Sequence, residues 1–131
     1  METAIQILAV INLSVIGVSH VVRPRAWVAL FHWLRSKGEA GVLVVAFFSL
    51  GFGSIIAAFH NVWSGLPVVL TLLGWAHVTK AFLYFTWPTF GLKKLRFVTE
   101  ERAKFLILPG MVFLLIAVLL LYELLRTSPA T

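Results

Sequence analysis

The sequence predicts an all-α membrane protein with four transmembrane helices, arranged as two repeated hairpins with both termini outside. Three observations lead to this prediction. The chain of 131 residues is 60% hydrophobic and only 12% charged, whereas charged residues make up about 25% of an average soluble domain. Four stretches are long and apolar enough to cross a hydrocarbon core about 30 Å thick. An eleven-residue segment of the first stretch also recurs 57 residues later, in the third.

The predicted spans follow one another along one membrane domain, 1–131, and cover residues 3–22, 38–61, 65–87 and 103–125. Each has roughly the 20 helical residues that a bilayer requires. Patterns near their starts agree with these limits: Thr3-x-x-Gln6 and Ser36-x-x-Glu39 fit capping boxes, and Pro67 suits a first helical turn. The first apolar run lacks a basic leader, so we expect a retained span and not a signal peptide.

A shorter amphipathic helix is predicted at about 25–35, between the first two spans. Trp27, Leu30, Phe31 and Leu34 recur there at helical spacing. A helix of this kind is typical of the membrane interface. The corresponding segment between the last two spans, 89–98, contains Gly91 and a Lys93-Lys94 pair, and its pattern predicts a helix less clearly.

The distribution of charge predicts the orientation and the partner of this membrane domain. Nine of the eleven Lys and Arg residues lie in two connections: Arg23, Arg25, Arg35 and Lys37 in the first, and Lys93, Lys94, Arg96, Arg102 and Lys104 in the second. Basic connections are typically cytoplasmic, and they attract anionic lipid headgroups. Because these cations lie between apolar spans, the net charge of +6 does not indicate nucleic-acid binding.

The repeated segments are LSVIGVSHVVR at 13–23 and LTLLGWAHVTK at 70–80. Four positions are identical, Leu13/Leu70, Gly17/Gly74, His20/His77 and Val21/Val78, and Arg23 corresponds to Lys80. Since two crossings separate the first span from the third, the duplication predicts a pseudo-two-fold axis along the membrane normal. Pro24 ends the helix after the first copy, which makes the copy with His77 and Lys80 the stronger candidate for a site.

Four basic residues, His77, Lys80, His20 and Arg23, form the candidate ligand-binding site. Charged groups inside a membrane are costly and commonly functional, and the spans carry no Asp or Glu at the same depth. An unbalanced basic cluster suits an anionic ion, metabolite or lipid headgroup, which the protein would bind or conduct. The alternative is that Arg23 and Lys80 extend to the cytoplasmic interface and only fix the topology.

Two other classes of function stay open. The two histidines could ligate haem b, with Arg23 and Lys80 at its propionates, or serve a quinone-binding redox protein. The chain could equally be an accessory subunit or scaffold of a larger membrane complex. It has no cysteine and none of the common catalytic or metal-binding motifs, so a non-enzyme without a bound metal is favoured.

The remaining candidates concern packing and secondary contacts. Ser49, Gly53 and Ala57 form a stripe of small residues that allows close helix packing in lipid, either within the bundle or between subunits. Transport would require a homo-oligomer, because four helices rarely enclose a water-filled path. His60 at the outer end of the second span and Asn12 within the first are secondary candidates for ligand contact.

The segment His60-Asn61-x-Trp63, followed by PVVLTLLGW at 67–75, Lys80 and Pro88, resembles a family of small four-span bacterial membrane proteins of uncharacterised function. The resemblance covers about a quarter of the chain. It implies a multi-pass protein of the bacterial inner (cytoplasmic) membrane and implies no activity.

Overall fold

The computed structural model describes residues 1–127, most of which are helical and none of which lies in a strand. Its elements in chain order are α1 (Glu2–Val22), α2 (Pro24–Ser36), α3 (Glu39–Phe59), α4 (Val68–Thr86), α5 (Pro88–Arg96), a 3-10 segment (Glu100–Leu106) and α6 (Ile107–Thr127).

Four helices are long and apolar enough to cross a membrane: α1, α3, α4 and the helix formed by the 3-10 segment with α6. No more than 33% of the most apolar window of any of them is buried within the chain. Large side chains such as Phe48 and Leu125 are 78% and 71% exposed. Water would solvate so much apolar surface poorly, so the pattern is that of a multi-pass membrane protein.

The four long helices form two closely packed pairs, α1 with α6 and α3 with α4, whereas α1 and α3 touch little. Consecutive spans one and two are therefore not packed against each other as a hairpin. Glycines explain the observed pairing. A Cβ built on Gly53 would lie 2.8 Å from the carbonyl oxygen of Gly74, and one built on Gly110 would lie 2.9 Å from that of Gly17. At both crossings the two backbones approach closely.

The two ends of the bundle differ in charge. At one end, which we call the basic end, α2, α5 and the 3-10 segment pack together beside the ends of the long helices, and His32 Nε2 donates to the carbonyl oxygen of Val98 at 3.0 Å. This end contains both basic connections. The other end, which we call the opposite end, contains the start of α1, the 60–67 connection and the end of α6, where Arg126 pairs with Glu123 at 2.9 Å.

The helices of the basic end begin at prolines and are fixed by buried side chains. Pro24 and Pro88 occupy the first turns of α2 and α5, where the missing N–H is not needed. The segment around 89–98 is helical over Pro88–Arg96, although its pattern predicted a helix less clearly. Glycine is required at position 91 because a Cβ there would clash with a Val42 methyl group.

Two local expectations differ from the structure. Neither predicted capping box forms: Met1 and Gly38 precede α1 and α3 with no side-chain cap, and Ser36 donates instead to the carbonyl oxygen of Trp33 at 2.6 Å. The last span also begins earlier than residue 103, as a 3-10 turn from Glu100 that becomes an α-helix at Ile107.

Candidate functional site

His20 and His77, the paired histidines of the two similar segments, line one cavity of about 390 Å³. The predicted spans, 3–22 and 65–87, place His20 near the end of its span and His77 in the middle of its own. The structure brings both side chains to the same cavity, to which α1, α2, α3, α4 and α6 all contribute. Its volume lies in the range of small-molecule sites, about 300–1,000 Å³.

Aromatic rings form most of the remaining wall of this cavity, which we call the histidine cavity. They are Trp27, Phe31, Phe48, Phe52 and Phe113. The polar side chains besides the histidines are Asn12 and Ser49, and none of the lining residues carries a permanent charge. An apolar wall with a few polar groups is typical of a site for a small organic molecule.

His20 is held rigidly, at 5% exposure. Its imidazole stacks on the Trp27 indole with ring centroids 3.9 Å apart and planes inclined by 21°, and meets the edge of Phe113 at 5.9 Å. Trp27 is itself anchored, since its indole N–H donates to Ser19 Oγ at 3.0 Å. The turn at Arg23 and Pro24 makes this possible, because it folds α2 back onto the end of α1.

His77 has a matching but more open environment. Its imidazole meets the ring of Phe52 at 5.2 Å with planes inclined by 69°. The α3 backbone at Gly53 passes close to its Cβ: a Cβ added to Gly53 would lie 2.9 Å from it. Glycine is therefore what allows α3 to pack against the helix face that presents His77.

Both histidines use the same ring nitrogen for the same local hydrogen bond. Nδ1 of His20 donates to the carbonyl oxygen of Ile16 at 2.9 Å, and Nδ1 of His77 donates to that of Leu73 at 2.9 Å. A carbonyl only accepts, so Nδ1 carries the proton and Nε2 of the neutral ring is an acceptor. Neither Nε2 has a partner within residues 1–127, and neither is a fully buried unpaired atom, so both are at least partly accessible on side chains that line the cavity.

The other two residues of the predicted basic cluster lie elsewhere. Arg23 is exposed and lines a separate depression with Pro24 and Arg25. Lys80 is half-buried, with Nζ 5.5 Å from the centre of the Tyr84 ring, and is not part of the histidine cavity wall. The structure thus brings together His20 and His77 of the four residues, and the four-residue anion site stays a prediction.

The small residues of α3 have different roles. Gly53 packs on α4 within the same chain, and Ala57 N would lie 3.4 Å from a Cβ on Gly74. Ser49 is buried and lines the histidine cavity. Asn12 also lines it, and its amide donates to the carbonyl oxygen of Leu8 at 2.8 Å, within its own helix.

His60 belongs to a buried polar network near the opposite end. Gln6 Nε2 donates to His60 Nε2 at 3.0 Å, and Thr71 Oγ1 donates to the Val62 carbonyl oxygen at 2.7 Å and accepts from the Val62 N–H at 3.0 Å. His60 and Thr71 are both 0% exposed. His60 lies one residue beyond the end of α3, and burial lowers the pKa of its imidazole from the ordinary value of 6.5. These contacts link α1, the 60–67 connection and α4.

Comparisons with protein-family models, with curated proteins and with solved structures found no match. Within residues 1–127, no group of three or more His, Asp or Glu side chains is placed to hold a metal ion.

Sequence reasoning missed the aromatic part of the site. The helical spacing predicted Trp27 on an interfacial helix, and no sequence pattern singled out Phe52 or Phe113. One signal was available: Gly53 and Gly110 are 57 residues apart, the same offset as the histidines. It indicates that the second and fourth spans pack on the histidine helices in equivalent ways.

Proposed function

We propose that this protein is a membrane protein that binds a flat aromatic ring of the quinone and quinol class between His20 and His77. The observation that supports it best is the histidine cavity, in which two open imidazole nitrogens are combined with an aromatic wall and no permanent charge. A quinol ring is largely apolar and carries hydroxyl groups on opposite sides, so it complements such a cavity.

The hydrogen-bond chemistry favours the quinol form. In the neutral imidazoles, Nδ1–H is committed to a backbone carbonyl, so each Nε2 would accept from one hydroxyl of the ring. An imidazolium would instead donate from Nε2 to a quinone carbonyl. The stacked pair of His20 and Trp27, 3.9 Å apart, would hold one acceptor in a fixed position, and a preorganised partner lowers the ordering cost of binding.

An anion site formed by all four basic residues is the alternative that the sequence favoured. It requires Arg23 and Lys80 to face the same ligand as the histidines. Arg23 borders another depression, and the Lys80 ammonium lies against Tyr84. A ring ligand needs neither cation, so substitution of Arg23 and Lys80 distinguishes the ring site from the anion site.

The test is a titration of the purified protein in lipid nanodiscs with a decyl-substituted benzoquinol. Binding is measured as quenching of tryptophan fluorescence. His20→Phe and His77→Phe keep an aromatic side chain and remove the acceptor, so each should weaken binding about five- to tenfold, the value of one hydrogen bond. Arg23→Ala and Lys80→Ala are the matched controls and should bind normally. Unchanged binding by both histidine variants would refute the proposal, and loss on removing the two cations would favour the anion site.

A haem b protein is a second candidate, and one observation supports it. Histidines that ligate metals usually donate their other ring N–H to a carbonyl or carboxylate, which is the arrangement of Nδ1 in both His20 and His77. The propionate partners foreseen in Arg23 and Lys80 are not at the cavity, so the donor set is incomplete. Absorbance spectra recorded after haem addition distinguish the two candidates. A Soret band that forms in the wild type and is lost in His77→Phe would favour haem over the quinol.

We also propose that the chain arose by duplication and lies in the bacterial inner membrane with its basic end in the cytoplasm. Equivalent positions have equivalent surroundings, as at Leu13 and Leu70, which are 2% and 0% exposed in one core cluster. The positive-inside tendency supports the orientation. Because the chain has no cysteine, the single variants Lys94→Cys and Ser64→Cys would report the orientation. An impermeant maleimide applied to intact cells should label Ser64→Cys and leave Lys94→Cys unlabelled.

A further inference from the structure

A second cavity of about 450 Å³ lies between α1 and α3. Apart from Asn12, its lining is apolar and includes Ile5, Leu8 and Gly51. We call it the α1–α3 groove. It exists because α1 packs on α6 and α3 on α4, which leaves α1 and α3 with little contact.

The groove adjoins the histidine cavity, because Asn12, Phe48 and Phe52 line both. The linings of the two cavities together extend along α1 from Ile5 to His20. At a rise of about 1.5 Å per residue, these positions are roughly 22 Å apart along the helix axis. A cavity with polar groups and aromatic walls therefore lies beside a long apolar groove.

We propose that the α1–α3 groove holds the apolar tail of the same ligand, an inference that rests on the proposed function. From a ring placed between His20 and His77, the adjoining groove extends along α1 toward the opposite end. The ligand class is then a ring with a long alkyl or prenyl chain, and not a water-soluble ring. Such a molecule resides in the bilayer, and the groove opens between two helices long and apolar enough to cross a membrane.

Gly51 offers a direct test. A Cβ added to Gly51 would have no atom within 4 Å, so a side chain can start there without a clash, and Gly51→Leu adds apolar volume at the groove wall. Ala58→Leu is the matched control, since Ala58 is an exposed residue of the same helix and lines neither cavity. Leu8→Trp, on the α1 wall, repeats the test from the other side.

The experiment compares a decyl-substituted benzoquinol with the same ring lacking the chain, in nanodiscs, at equal concentration in the lipid. The wild type should bind the decyl compound more tightly. Gly51→Leu and Leu8→Trp should weaken decyl binding roughly tenfold, the scale of overpacking, and leave binding of the chainless ring unchanged. Ala58→Leu should alter neither.

The outcomes separate this inference from the proposed function. If the chainless ring binds through the histidines and Gly51→Leu leaves decyl binding intact, the tail inference is wrong and the ring site stands. If a copurifying phospholipid is lost from Gly51→Leu while decyl binding persists, the groove belongs to a lipid chain, and the inference is again wrong. If neither compound binds to the wild type, the proposed function fails, and the tail inference fails with it.

Discussion

The close approach of α3 to α4 at Gly53, and of α1 to α6 at Gly110, should contribute strongly to the free energy of unfolding of this bundle. Replacing these glycines one at a time with alanine tests this directly. At Gly53, an added Cβ would lie 2.8 Å from the Gly74 carbonyl oxygen, 2.8 Å from the Val78 nitrogen and 2.9 Å from the His77 Cβ. Two of these three atoms belong to backbone and cannot rotate away. The α3 and α4 helices would have to separate, and overpacking of this kind costs about 1–3 kcal/mol.

Gly51 provides the matched control two residues away on the same helix. An added Cβ there meets nothing within 4 Å, so Gly51→Ala should stabilise the helix by up to about 1 kcal/mol through propensity alone. Gly53→Ala gains the same helix propensity, so the two alanine variants should differ in free energy of unfolding by the overpacking cost alone, about 1–3 kcal/mol. Gly110→Ala should resemble Gly53→Ala, because its Cβ would lie 2.5 Å from His20 Cβ and 2.9 Å from the Gly17 carbonyl oxygen.

The assay is reversible unfolding in mixed micelles, with loss of far-ultraviolet circular dichroism followed as the fraction of denaturing detergent increases. The expected order of stability is Gly51→Ala first, then the wild type, then Gly53→Ala and Gly110→Ala. Equal stability of Gly51→Ala and Gly53→Ala would refute the argument, because it would mean that α3 and α4 do not approach at that glycine.

Further predictions concern the buried network near the opposite end. Thr71→Val removes the partner of both the Val62 N–H and the Val62 carbonyl and should cost about 1–3 kcal/mol in unfolding free energy. Thr86→Val is its control: Thr86 is exposed and its hydroxyl donates to the Phe82 carbonyl oxygen of its own helix, so a near-normal unfolding curve is expected. Burial lowers the pKa of His60 in the folded state, so protonation favours unfolding. The melting temperature should be constant above pH 6.5, the ordinary pKa, and fall below it; a His60→Gln variant whose melting temperature fell equally over this range would contradict the assignment.

The local sequence pattern was sufficient to predict where the helices lie, because helix formation depends mainly on residues close together in the sequence. Runs of apolar residues predict spans whatever they pack against, and Pro24 starts α2 through its own fixed geometry. The capping boxes failed because the chain has other ways to satisfy helix ends there: Ser36 donates to Trp33, and Gly38 takes a φ of 61° before α3. Short motifs are weaker signals than long apolar runs, since a few local hydrogen bonds decide them.

The sequence by itself determined four apolar helices, two basic connections and the paired histidines at an offset of 57 residues. Only the tertiary structure decided which helices pair and which side chains meet. His20 and His77 share a cavity because Gly53 and Gly110 let their backbones approach the histidine helices, while Pro24 turns Trp27 back onto His20. Arg23 and Lys80 follow the histidines by three residues yet lie outside that cavity. Three residues span about 300° of a helical turn, and neighbouring helices, which the sequence does not specify, determine which of these faces is enclosed.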